Sequence, residues 1–371
     1  TTNCNFSCKY CYEGVEKKNY ILDKKTVDNL VHHIQQDKKM FVNLWVTTNC
    51  NFSCKYCYEG VEKKNYILDK KTVDNLVHHI QQAICIGEEI IIEFHGGEPL
   101  LNFPLIEYTI RKINDVFPNI KRHYGITTNA FYLKGDILDF ITKWMDFNLS
   151  VSIDGTPEVN DSYRIMNNGL GTFEKIEENI KALLKKRADA MARITVLPDT
   201  VQYLYKNSVF LAEMGFRIVG GALDYYNPRW NERKFKILYE ELVKLKKYQM
   251  EEKNVRFPMT NFYCRKMGEC GFGKNYFTLY PNGDIYPCTY CVGKSEFLLG
   301  NINKEGFKED KILEFQTINA KCNPLCEGCG HLEHCVSSRC KFLNYALSGD
   351  FLTPSGVVCA MENIKYKLSI L

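Results

Sequence analysis

The sequence predicts an α/β protein: a parallel α/β domain followed by a cysteine-rich domain with a small β-hairpin. Between residues 41 and 255, six strand-like segments alternate with six helix-period segments. Alternation of that kind builds parallel sheets. Beyond 255 helix periodicity fades, and the segment 264–359 holds ten of the 17 cysteines. A composition of 45% hydrophobic and 25% charged residues excludes a disordered chain. A net charge of +4, from 48 basic against 44 acidic residues, gives no argument for nucleic acid or an anionic membrane.

Strands are expected at 44–47, 89–94, 123–127, 149–153, 192–196 and 217–222. Helices are expected at 69–82, 103–116, 135–147, 173–187, 201–214 and 231–252. In the first helix Asp69 reads as the N-cap, and Val73, Leu76, Val77 and Ile80 share one face. Ligands of parallel sheets bind outside the carboxyl ends of the strands, so chemistry is expected there. Further on, 276–280 and 285–287 read as a hairpin closed at Pro281-Asn282-Gly283-Asp284. Too little apolar material surrounds it for a normal core, so metal is expected to supply part of the folding energy.

Residues Thr1 to Gln36 recur unchanged as Thr47 to Gln82. Two copies do not make a solenoid, which needs three or more units. Only the second copy has plausible flanks, a strand-like 41–46 before it and 90–99 after it. The first, with Cys4, Cys8 and Cys11, reads as an extra, non-functional segment. The expected domains are therefore 1–40, 41–255 and 256–371.

Disulfide scaffolds are usually short and loop-rich, unlike this chain. Its cysteines are expected to be thiols serving as metal ligands in a reducing, oxygen-poor cytosol. No apolar run approaches a membrane span and no secretory signal is legible, so a cytoplasmic location without a membrane partner is expected. The first chemical motif is Cys50-Asn51-Phe52-Ser53-Cys54-Lys55-Tyr56-Cys57, directly after the first strand. Zinc takes four N or S ligands, and Cys85, His78 or His79 would have to complete such a site. Three thiolates without an obvious fourth favour iron–sulfur.

CNFSCKYC matches the CxxxCxxC signature of radical S-adenosylmethionine (SAM) enzymes, and the chain resembles that family. The resemblance implies a partial (β/α)6 TIM-like barrel. It also implies a 4Fe–4S cluster on Cys50, Cys54 and Cys57, with Tyr56 beside it and one iron open to SAM. His95-Gly96-Gly97-Glu98-Pro99, at the second strand end, resembles the motif that receives the SAM amino group. Gly96 and Gly97 would let the backbone approach the ligand, and Glu98 would meet the ammonium. Thr127-Thr128-Asn129 ends the third strand, where the family contacts the ribose, and Ser152-Ile153-Asp154-Gly155 ends the fourth. Asn160-Asp161-Ser162-Tyr163-Arg164 is similar to the family's HDxxR, with Asn160 in place of His; Arg164 would fork onto the SAM carboxylate.

The C-terminal array resembles a SPASM domain, which implies two auxiliary 4Fe–4S clusters and three in all. By position, Cys264, Cys270, Cys288 and Cys340 would hold the first, and Cys326, Cys329, Cys335 and Cys359 the second. The family usually has three residues between the cysteines matching Cys335 and Cys340; this chain has four. Cys85, Cys291 and Cys322 are spare, and their plain reading is a small buried hydrophobe.

The family's chemistry follows as implication. One electron cleaves SAM to methionine and a 5′-deoxyadenosyl radical, which abstracts hydrogen from an unactivated carbon. The implied partners are a precursor peptide and an electron donor such as flavodoxin or ferredoxin. Three functions compete: a maturase crosslinking a ribosomally made peptide, most readily by a Cys thioether; an anaerobic sulfatase-maturating enzyme; and a non-catalytic iron–sulfur electron carrier. The sulfatase branch carries a base, Asp, directly after the cysteine matching Cys288, where this chain has Thr289. Peptide maturation is therefore placed first, with no catalytic base assigned.

Overall fold

The structure, a computed structural model, describes residues 39–57, 65–84, 88–252, 254–260, 270–272 and 275–371. The first copy of the repeat with its three cysteines, and also Cys85 and Cys264, lie outside the described residues.

Six parallel strands lie side by side in chain order: β1 (Lys39–Thr47), β2 (Glu89–Gly96), β3 (Lys121–Thr128), β4 (Asn148–Ser152), β5 (Met191–Val196) and β6 (Ile218–Leu223). Between them run α1 (Lys70–Ala83), α2 (Phe103–Val116), α3 (Gly135–Trp144), α4 (Pro157–Tyr163), α5 (Phe173–Lys186) and α6 (Leu204–Met214), and α7 (Glu232–Glu251) follows β6. This is the parallel α/β arrangement that the alternation predicts, with the six strands that the resemblance implies. β1 starts earlier than expected because Met40 and Val42 are as buried as Leu44. Strands covered on both faces read as continuous apolar runs. Asp69 caps α1 as expected, accepting from the Thr72 amide at 2.8 Å, and the predicted face is buried. α3 stops short of 147 because the Phe147 amide already bonds the Tyr124 carbonyl, at 2.9 Å, on the way into β4. The short helix α4, which runs into the NDSYR motif, was not anticipated.

The hairpin forms at the expected turn, from β7 (Tyr276–Leu279) and β8 (Asp284–Tyr286), with Gly283 at φ 89°. It is not a separate element, however. β7 pairs in parallel with β1, from Phe41↔Tyr276 to Leu44↔Leu279, and β9 (Gly300–Asn301) and β10 (Gly306–Phe307) extend one ten-stranded sheet.

The expectation of a core-poor C-terminal region is corrected. It contains α8 (Glu309–Asn319), α9 (Val336–Arg339), α10 (Lys341–Ser348) and α11 (Gly356–Ser369), the last packed on α7. Its core is aromatic. Phe342 meets Phe272 at 4.9 Å and Phe315 at 5.5 Å, and Tyr345 meets Phe297 at 5.1 Å and Phe351 at 4.6 Å between ring centroids. Each such ring buries on the order of 150–250 Å², so a few rings replace an aliphatic stripe and leave no helical period behind.

Candidate functional site

The Cys50 loop leaves the end of β1 and is fastened to the chain after α4. The Ser53 amide bonds the Ile165 carbonyl at 2.8 Å, and the Lys55 amide bonds Tyr163 at 2.9 Å. The Ser53 hydroxyl donates to Asn167 Oδ1 at 2.7 Å, and Asn167 Nδ2 donates back to the Cys50 carbonyl at 3.2 Å. Phe52 is buried between them. Cys50, Cys54 and Cys57 are thereby held as half-buried thiols, none in a disulfide, on one loop. Soft thiolate donors of this kind fit an iron–sulfur cluster. The histidines considered as completing a zinc site are engaged elsewhere: His78 bonds Gln82 at 2.9 Å, and His79 stacks on Phe307 at 4.6 Å.

The β2 end folds onto this loop. The Gly97 amide bonds the Thr47 carbonyl at 3.0 Å, and the Glu98 amide bonds Asn49 at 2.9 Å. A Cβ on Gly96, which sits at φ +130°, would lie 2.1 Å from the Thr47 oxygen, and one on Gly97 would lie 2.4 Å from that of Asn49. The glycines are thus required by the approach of β2 to the cysteine loop, beyond any approach of a ligand. Glu98 accepts from the Leu100 amide at 3.1 Å, the Thr128 hydroxyl at 2.7 Å and the Asn129 amide at 2.7 Å. Burial outweighs these bonds and raises its pKa to about 7. Pro99 opens the 3-10 turn that Glu98 caps. Asn129 Nδ2 bonds Asn51 Oδ1 at 2.9 Å, so the β3 end also reaches the cysteine loop.

At the β4 end, half-buried Ser152 leads into Asp154, the organiser that sequence reasoning passed over. Asp154 accepts from Arg164 Nε at 2.9 Å and Nη2 at 3.2 Å, from the Thr195 amide at 2.9 Å, and from the Tyr56 hydroxyl. The Arg164 fork therefore lies on Asp154, with its guanidinium 5.4 Å over the Tyr56 ring. Burial holds the Tyr56 phenol well above its ordinary range. Asn160, standing where the family has His, donates to Thr172 Oγ1 at 3.0 Å and accepts from the Asp154 amide at 3.3 Å. Near the end of β2, His95 is lowered to about 4 by desolvation and by the charge of Arg193, so it is neutral at pH 7.

In the C-terminal region the described cysteines lie near one another, and Cys291, outside both expected sets, lies beside Cys288. Burial raises Cys340 to about 12, with the charges of Cys288 and Cys270 adding to it. Burial likewise raises Cys359, helped by Cys326 and Cys329, and raises Cys335, helped by Cys359.

Residues 44–206 match the Radical SAM superfamily, and residues 270–330 match SPASM, an iron–sulfur cluster-binding domain. The chain is a radical SAM enzyme with a SPASM domain. An uncharacterised protein of Methanocaldococcus jannaschii is 31% identical, covering 82% of this chain and 86% of its own. A cysteine-type anaerobic sulfatase-maturating enzyme of Clostridium novyi is 28% identical over 64% of this chain and 72% of its own. In fold, the chain is similar to anSMEcpe with bound AdoMet (TM-score 0.75, 19% identity, 89% of this chain and 97% of that one). It is also similar to Streptococcus suis SuiB bound to precursor peptide SuiA (TM-score 0.61, 14% identity, 93% and 84%).

This radical SAM enzyme carries features near its SPASM cysteines that the sequence did not reveal. The turn after β6 places Tyr225 within electrostatic reach of Cys335, and Tyr226 within reach of Cys288, Cys291 and Cys340. Tyr290 faces Cys340 and Cys288. Lys341, only 2% exposed, bonds Asn323 and the Ser338 carbonyl and feels the charges of Cys326 and Cys340, one from each set. No spacing rule marks these residues; only the SPASM fold brings them to the cysteines.

Proposed function

We propose that this enzyme matures a ribosomally synthesised peptide by joining a Cys thiol to an unactivated carbon as a thioether. When bound, the clusters and SAM supply the electron, the 5′-deoxyadenosyl radical and an acceptor for a second electron. In this reading Cys50, Cys54 and Cys57 hold the SAM-cleaving cluster. Glu98 takes the SAM ammonium, while Arg164, whose Nε–Nη2 fork is held by Asp154, borders the pocket with Tyr56, Gly96, Gly97, Pro99, Asn129 and Ser152. Cys264, Cys270, Cys288 and Cys340 hold one auxiliary cluster, and Cys326, Cys329, Cys335 and Cys359 the other, three clusters in all. A flavodoxin or ferredoxin in the cytoplasm supplies the electrons.

The supporting observation is Thr289. It is half-buried, directly after Cys288, at the position where a formylglycine-forming enzyme is expected to hold its carboxylate base. Thioether formation removes one hydrogen atom from carbon and one proton and one electron from the thiol. A thiol held on a metal centre gives up its proton without a carboxylate.

A second reading, sulfatase maturation, is favoured by overall similarity. Curated relatives of that type reach 28% and 24% identity, and the anSMEcpe fold scores 0.75 against 0.61 for SuiB. Anaerobic turnover separates the two. A Cys-containing peptide encoded near the gene is expected to lose the mass of two hydrogens and to resist thiol alkylation. A hydrazine-reactive aldehyde on a sulfatase-type peptide, with no crosslinked product, would overturn the maturase reading.

A further inference from the structure

Cys291 stands outside the eight SPASM ligand positions, yet it touches one of them. Cys288 caps a 3-10 turn, Thr289–Cys291. Positions three apart eclipse on such a turn, so the two side chains leave the same side. Their sulfurs are 3.8 Å apart, within hydrogen-bonding range for sulfur. Cys291 is 1% exposed, so no water competes for this contact. The helix α10, which begins directly after Cys340, packs against the same turn. By geometry alone either sulfur can be the donor. Chemistry removes the ambiguity: a cluster ligand is a thiolate and has no proton to give. Once Cys288 is a ligand, the only S–H of the pair is on Cys291. Contact distance also argues against two ligands of one cubane, whose thiolates sit on different irons and stand further apart.

We infer that Cys291 donates a hydrogen bond to the ligand sulfur of Cys288 and thereby tunes the first auxiliary cluster. The inference rests on the reading of Cys288 as a ligand. Hydrogen bonds to cluster sulfurs are among the protein's means of setting reduction potential. A donor stabilises the more negative, reduced state and so raises the potential. The cluster beside Thr289 then accepts the second electron of crosslinking more readily. Cys291 is in this sense a positioning residue, not a ligand.

The test uses the full chain, reconstituted anaerobically, with iron content and an EPR-monitored reductive titration as readouts. Cys291→Ala is expected to keep wild-type iron while one auxiliary signal moves to a more negative potential. Cys291→Ser, whose hydroxyl still donates, should return that signal toward its wild-type position. An unchanged potential in Cys291→Ala overturns the proposal. Loss of one cluster's iron in Cys291→Ala also overturns it, in favour of direct ligation. Cys288→Ala serves as the control and should lose one cluster's iron. If it keeps that iron, the ligand assignment itself falls and the inference falls with it.

Discussion

At Glu98, burial and charge pull in opposite directions. The carboxylate is 1% exposed, and although three donors favour its charged form, burial raises its pKa to about 7. An ammonium ligand needs the charged form. Below pH 7, SAM must displace a proton from Glu98 in order to bind; above it, the site is already ionised. SAM affinity, measured calorimetrically, is therefore expected to rise through about pH 7 and then level off. Glu98→Gln should flatten that profile and cost about 1.5–3 kcal/mol, tenfold or more in affinity. A flat profile in the native protein would detach SAM from Glu98. Gly96 makes a different demand, since any Cβ there meets the Thr47 oxygen at a φ that L-residues rarely adopt. That backbone strain alone costs about 1–3 kcal/mol, and the clash pushes on the strand end that carries Cys50. Gly96→Ala is expected to lower the thermal midpoint and the retained iron together. A wild-type midpoint with full iron would mean that the loop shifts freely.

Three elements meet at Asp154: the β4 end, the cap of α4 at Arg164, and the cysteine loop through Tyr56. Both members of the ion pair are buried. Removing one leaves the other charge uncompensated, which costs about 3–5 kcal/mol. Arg164→Ala should therefore shift the denaturant midpoint strongly, and Asp154→Asn combined with Arg164→Met should recover part of the loss. A loss in the double variant equal to the sum of the losses in Asp154→Asn and Arg164→Met alone would show that the pair is uncoupled. At this scale much was legible in the sequence. β1 and β2 stand out as apolar runs and β3 to β6 as shorter strand-like segments between helices, Asp69 marks its helix start, and Asn282-Gly283 marks the hairpin. The pairing of β7 with β1 was not legible, because its partners are far apart in the chain and no local pattern encodes it. α8 escaped because it presents no clean stripe: Phe315 is buried while Leu313 is 66% exposed. The cysteine sets follow from resemblance, but the contact of Cys291 with Cys288 depends on a 3-10 turn that three residues of sequence do not announce. The Gly96-Gly97 pair was recognised for the right site and only part of the reason, since its nearest neighbours are Thr47 and Asn49.

For the whole molecule, the question is which copy of the repeated segment does the chemistry. The second copy's cysteine loop depends on supports drawn from across the barrel. β1 precedes it, the Gly96–Glu98 turn closes on Thr47 and Asn49, Asn129 reaches Asn51, and residues 163–167 fasten Cys50 to Lys55. A second loop of identical sequence would need a second set of all four, and the strands β1 to β6 supply them once among the described residues. The triple Cys4/Cys8/Cys11→Ala variant is thus expected to keep wild-type iron, about twelve per chain on the three-cluster reading, and full SAM cleavage. The triple Cys50/Cys54/Cys57→Ala variant should lose about four irons and all 5′-deoxyadenosine formation, leaving the auxiliary clusters in place. Iron analysis and chromatography of the nucleoside product read both variants directly. If 5′-deoxyadenosine persists without Cys50, Cys54 and Cys57, the first copy is catalytic, and the supports around the second copy are not what SAM cleavage requires.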